Sequence, residues 1–104
     1  MKLFDALLET KLFVYGTLKK GEQNHKKLKN SKFLGKAKTK RKYDLVYNHD
    51  SPNLVQGNNQ ITGELYEIDD ALLQILDKFE KPFKRKKITL STGEAAESYF
   101  GKKK

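Results

Sequence analysis

The chain has no cysteine, no tryptophan and only two histidines, and no apolar run approaches the ~20 residues that cross a bilayer as a helix. Each shortage removes a class of function. Without cysteine there is no disulfide framework, no thiolate metal cluster and no cysteine nucleophile. His25 and His49 have no i, i+4 partner, so no metal site is expected. Neither a Walker nor a Rossmann glycine loop occurs, and no serine or threonine stands with a His–Asp pairing that would suggest a triad. The opening MKLFDALLET is too short, and too acidic at Asp5 and Glu9, for a secretory signal. A cytoplasmic enzyme or binding module is expected, with no membrane partner.

Arginine is scarce as well. The net charge is +9, yet of 22 basic residues only Arg41 and Arg85 are arginine. Base readout and bidentate phosphate clamps favour the planar arginine fork, and the lysines are scattered from Lys2 to Lys104. Specific nucleic-acid recognition is therefore not expected. The dense stretch from Lys36 to Lys42 and the GKKK tail leave a weak, salt-dependent polyanion binder open as a lesser alternative.

What is present is enough for one core. At 104 residues the chain reads as a single domain, 1–104, with residues 1–10 as an N-terminal extension. Six Phe and five Tyr supply bulky interior material. Leu3, Phe4, Leu7 and Leu8 have helical spacing. Lys11–Tyr15 reads as a central strand broken by Gly16, and Glu22–Leu28 as about a turn and a half of helix. Phe33–Thr39, Tyr43–Tyr47, Ile61–Ile68, Arg85–Leu90 and Glu97–Phe100 read as further strands. Turns are expected at Ser51-Pro52-Asn53, Gly57-Asn58-Asn59 and Thr92-Gly93. The clearest helix is DDALLQILDKFE, with Asp69 as N-cap, Leu72, Ile75, Leu76 and Phe79 as its core-facing stripe, and Pro82 ending it. The class is α+β, without the regular alternation of a doubly wound parallel sheet.

Glu80 stands out on physical grounds. With Leu72 as zero and about 100° per residue, it falls at about 80°, on the margin of the apolar stripe. Partial burial and the negative end of the helix dipole would both raise its pKa, which suits a proton-transfer role. An exposed Glu paired with Lys81 or Lys84 is the plainer alternative. Asp77 could orient a neighbour or pair with Lys78 or Lys81. Tyr15-Gly16-Thr17-Leu18 offers turn amides that could cradle a carboxylate or oxyanion, or could simply end a strand. Arg85 and Tyr99 suit substrate or supporting contacts, or an ordinary strand surface.

VYGTLKKGEQNH, then FLGKAKT, then ITGELYEIDDALLQILDKFE with PFKR after it, resembles the gamma-glutamylcyclotransferase-like superfamily. The resemblance runs from about Lys11 to Tyr99 and is strongest to the gamma-glutamylamine cyclotransferase branch and the avirulence-induced-protein relatives. It implies a small mixed β-barrel of about six strands, with one main helix and one or two minor ones. It implies substrate held by the backbone of Tyr15, Gly16, Thr17 and Leu18, with Glu80 as general acid/base. The implied reaction is a lyase- or acyltransferase-type release of 5-oxoproline from a small gamma-glutamyl substrate, without metal or cofactor, by a monomer or homodimer. The sequence departs from the family where Lys81 replaces a glycine, and where the 80–85 segment is short and carries Phe83. Lys81 is expected to lower the Glu80 pKa, and that motivates a non-catalytic metabolite binder on the same scaffold as the alternative function.

Overall fold

The computed structural model describes residues 9–16, 18–22, 25–28, 31–48 and 51–100. Seven strands and one main helix occupy them: β1 Glu9–Val14, β2 Lys32–Lys38, β3 Tyr43–Asn48, β4 Ser51–Gln56, β5 Thr62–Asp69, α1 Asp70–Phe79, β6 Lys84–Thr89 and β7 Ala95–Phe100. The α+β class holds, with seven strands in place of about six. Of the helix expected over Glu22–Leu28, His25–Leu28 is a 3₁₀ turn, and residues 23–24 lie outside the described residues. Of the proposed helical lead-in, residues 1–8 lie outside the described residues, and Glu9 and Thr10 belong to β1.

The sheet is mixed, in the order β2-β5-β1-β7-β4-β3, with β6 paired to β7. β1 is antiparallel to β5 along its whole length, from Glu9↔Asp69 to Val14↔Glu64. Its other edge meets β7 in parallel at Leu12↔Glu97. Farther along, β4 takes over that edge of β7 at Leu54↔Phe100, while β6 runs antiparallel along the opposite edge from Lys84↔Phe100 to Thr89↔Ala95. The ladder does not close into a ring. The ends are drawn together by the isolated bridge Thr39↔Leu90 and by the Tyr43 hydroxyl, which accepts the Thr89 N–H at 3.0 Å.

Strand alternation sends side chains to two faces. Leu12, Val14, Tyr66, Ile68 and Tyr99 pack on one face with Leu73 and Leu76 of α1. Phe13, Tyr43, Leu54, Leu65, Ile88 and Ala96 fill the other. Gly63 makes this possible: a β-carbon there would lie 2.4 Å from the Val14 carbonyl oxygen and 2.7 Å from the Phe13 ring.

Two sequence expectations are corrected. Ser51-Pro52-Asn53 is not a turn; it opens β4, with Pro52 opposite Tyr47 in the β3–β4 ladder. Proline is compatible with the start of a strand, where its missing N–H costs no ladder bond on an unpaired edge. The helix stripe is also rotated. Asp69 does cap α1, accepting the Leu72 N–H at 2.8 Å, but the buried residues are Leu73 and Leu76. Ile75 is 61% exposed and Phe79 42% exposed, with the Lys27 ammonium 4.2 Å from the Phe79 ring centroid. The buried face is thus centred close to the angle of Glu80, not a quarter-turn away from it. Truncating Leu76 would cost about 2–5 kcal/mol.

Candidate active site

β1 ends where β1 and β4 part company along β7, and Tyr15 fills the fork. Its hydroxyl donates to the Tyr99 carbonyl and accepts the Leu54 N–H at 3.1 Å. One side chain thus links a β7 carbonyl to a β4 amide. Burial chiefly, countered by the Leu54 N–H and helped by the Glu80 charge, pushes the Tyr15 phenol up to about 12. It is a neutral clamp, a role the sequence did not suggest.

The chain then turns sharply, with the Lys19 N–H on the Gly16 carbonyl at 3.0 Å. Gly16 is needed for closeness: a β-carbon would sit 3.3 Å from Pro52 Cγ. Its φ is not in the left-handed region, so close approach and not backbone conformation is what a side chain there would disturb. Thr17 lies outside the described residues. Two side chains that sequence reasoning missed hold this loop. Glu64 accepts the Lys20 N–H at 2.8 Å and the Tyr66 hydroxyl at 3.0 Å. His25 donates through Nδ1 to the Leu18 carbonyl at 3.0 Å. The histidine of the YGTLKKGEQNH stretch was the available signal, and it braces the loop. Neither the Gly16 nor the Leu18 N–H finds a backbone acceptor among the described residues.

Opposite this loop, α1 ends at Glu80, whose N–H returns to the Leu76 carbonyl at 2.8 Å. The Phe83 N–H closes the next turn on the Glu80 carbonyl, also at 2.8 Å. Glu80, Phe83 and Tyr99 line a cavity of about 80 Å³ together with Tyr15, Gly16 and Leu18. That is small beside ordinary ligand sites of roughly 300–1,000 Å³, so it admits the compact end of a ligand. Glu80 therefore points inward, and the exposed, lysine-paired alternative is set aside. Its pKa is raised by burial, with no neighbouring charge or hydrogen bond contributing. Lys81 is exposed and does not pull that carboxyl down, contrary to the expectation drawn from the sequence.

Asp77, Arg85 and Tyr99 are brought together one helical turn away. Arg85 grips Asp77 with Nε on Oδ1 and Nη2 on Oδ2, both at 2.9 Å, and its remaining arm reaches Glu97. The Tyr99 hydroxyl donates to Asp77 Oδ1 at 2.6 Å. The Arg85 hydrogen bonds hold the Asp77 carboxyl below the usual carboxylate range, against the opposing effect of burial and with help from Tyr99. Burial first, then the bond to Asp77, raises the Tyr99 phenol far above its ordinary value. Tyr99 thus lines the cavity as a neutral hydroxyl in a fixed orientation.

Residues 12–103 match the model of the family described as gamma-glutamyl cyclotransferase, AIG2-like. The chain belongs to that family. A Methanocaldococcus jannaschii protein named, provisionally, a gamma-glutamylcyclotransferase is 42% identical over 97 residues, covering 86% of this chain and 80% of its own. A Danio rerio gamma-glutamylaminecyclotransferase is 42% identical over 80 residues, covering 67% of this chain and 53% of its own, so this chain spans about half of that relative. A crystal structure from Pyrococcus horikoshii superposes with a TM-score of 0.79 at 29% identity, over 90% of this chain and 80% of that one. The strand path described above is therefore that of a gamma-glutamyl cyclotransferase-like fold.

Proposed function

We propose that this chain is a gamma-glutamyl cyclotransferase-type enzyme, releasing 5-oxoproline and an amine from a small gamma-glutamyl conjugate, with Glu80 as its general acid/base. One observation carries the reading: an inward-facing carboxyl with a raised pKa shares a small cavity with the Tyr15–Leu18 loop. The substrate brings its own nucleophile, so no serine or cysteine is required. Its alpha-amine attacks the side-chain carbonyl, a carbon–nitrogen bond forms within the ring, and the bond to the leaving amine breaks.

An alpha-ammonium near ~8 is a hard donor for an ordinary carboxylate near ~4.3. A carboxyl raised by burial closes part of that gap and can accept the proton and return it to the departing nitrogen. The Gly16 and Leu18 amides supply fixed donors for the substrate carboxylate or the developing oxyanion. Asp77 and Arg85 position Tyr99, whose hydroxyl hydrogen is committed to Asp77 and whose oxygen remains an acceptor beside Glu80. The tight cavity holds the glutamyl chain bent, which is the remaining requirement for cyclisation.

The test is release of 5-oxoproline from a panel of gamma-glutamyl amines and amino-acid conjugates. The wild-type chain should turn over at least one, and Glu80→Gln, which keeps shape and removes the base, should lose that turnover. Equal rates in the two proteins would refute the role given to Glu80.

A further inference from the structure

A hollow larger than the one beside Glu80 is a cleft of about 820 Å³ between β6 and the β3–β4 hairpin, at the place where the sheet fails to close. Near the Thr89 end the gap is stitched: Tyr43 takes the Thr89 N–H, and the Lys40 N–H reaches the Thr89 carbonyl at 3.0 Å. Toward the Lys84 end it opens. Register explains what faces it. Lys84 and Lys86 lie on the same side of β6 as Ile88, and across the ladder they oppose Phe100 and Ser98. The Ile88 face is the apolar interior of the curled sheet, so these two lysines continue that concave surface outward.

The lining has a definite chemistry. Lys42, Lys84 and Lys86 present their ammonium groups around the cleft, Phe100 gives it an apolar wall, and among the described residues no acidic residue lines it. Among the described residues none of these three lysines forms a salt bridge; the ion pairs among those residues use Lys11 and Arg85. Lys86 lies 5.7 Å from the Phe100 ring centroid, which places an ammonium beside an aromatic face. Ammonium groups gathered beside an apolar wall repel one another until an anion joins them. An anion bearing several charges and a planar apolar part satisfies both features of the surface.

We propose that this cleft binds the phosphorylated nucleotide unit, base against Phe100, phosphates among the lysines. The site is independent of the Glu80 cavity and does not rest on the reaction assigned there. Lysines act here as point charges on phosphate, so the binding is non-specific in base sequence and falls steeply with salt. That agrees with the lack of arginine forks noted in the sequence.

The full chain, uniformly labelled with nitrogen-15, is titrated at low salt with ATP, with inorganic tripolyphosphate, and with a short oligothymidylate. Expected are saturable amide shifts confined to Lys42–Gly57, Lys84–Lys87 and Phe100, with ATP at least tenfold tighter than tripolyphosphate. Tighter binding of the oligonucleotide than of ATP identifies a strand as the source of the nucleotide; weaker binding identifies the free nucleotide. The double variant Lys84→Glu, Lys86→Glu should weaken ATP at least tenfold. The control Lys36→Glu, Lys38→Glu, with the same charge change on exposed β2, should change it less than threefold. Tripolyphosphate binding as tightly as ATP, equal losses in the two double variants, or no shifts in these segments would each overturn the proposal.

Discussion

Asp77 and Glu80 stand one turn apart on the same face of α1 and meet opposite surroundings. Asp77 is clasped by Arg85 and Tyr99 and held charged. Glu80 is half-buried, forms no salt bridge among the described residues, and is pushed by its burial toward its neutral form. Two carboxyls of nearly equal intrinsic acidity are separated by environment alone, and the proposed reaction uses that separation: one fixed anion to orient, one exchangeable proton to react. The comparison also separates stability from activity. The site is braced at Asp77 and left strained, electrostatically, at Glu80.

The largest expected effect breaks the reactive half. Glu80→Gln should lower 5-oxoproline release by about 10²–10⁴-fold while leaving the fold intact, measured by steady-state turnover alongside thermal unfolding. Next comes the bracing half. Asp77→Asn removes the anion that Arg85 and Tyr99 share; turnover should fall about tenfold through misplacement of Tyr99. Stability should fall by about 1 kcal/mol, a modest figure because both partners of the ion pair are partly solvated. Urea unfolding checks the second number.

The pH dependence sharpens the contrast because the two signs differ. Asp77 has a folded pKa below its unfolded value, so its stabilisation is present above about pH 4 and is lost as pH falls through the folded value. Glu80 has a folded pKa above its unfolded value, so it binds its proton more tightly in the native state. Its contribution is full below about pH 4 and is lost as pH rises through the folded value. Glu80→Gln should therefore be as stable as wild type or more so at pH 7, with the difference vanishing in acid. Denaturant unfolding at both pH values measures it. The smallest effect is expected from Gly16→Ala. Its methyl group would meet Pro52 Cγ at 3.3 Å, and the loop should shift by a few tenths of an ångström, raising KM more than it lowers kcat.

How much of this could be read in the sequence depended on the distance over which each feature is decided. The capped helix was legible because a short motif carries it, and Asp77, Glu80, Arg85 and Tyr99 could each be singled out; the partner offered for Asp77 was Lys78 or Lys81, whereas the fold brings Arg85 and Tyr99 to it. The rotation of α1 was not legible. Counting apolar residues placed Ile75 and Phe79 inward, whereas packing against β1 and β5 selects Leu73, Leu76 and Glu80. That outcome depends on which strands lie beneath, and no local pattern encodes it. β4 was lost to Pro52, whose turn preference is outweighed by pairing with Tyr47. The braces supplied by Glu64, His25 and Tyr15 join residues as far apart as 44, 7 and 84 positions, which periodicity cannot see. The lysine-lined cleft was hidden for the same reason: a charge scattered along the chain converges only when β3 and β6 fail to meet.

The most direct measurement of the central claim is a carbon-13 NMR titration of the side-chain carboxyls of Asp77 and Glu80 in the folded protein. The account predicts that Asp77 titrates below the ordinary carboxylate range and Glu80 above it, with the Glu80 value insensitive to Lys81→Gly. Coincident titrations near ordinary values, or a Glu80 value below that of Asp77, would contradict it.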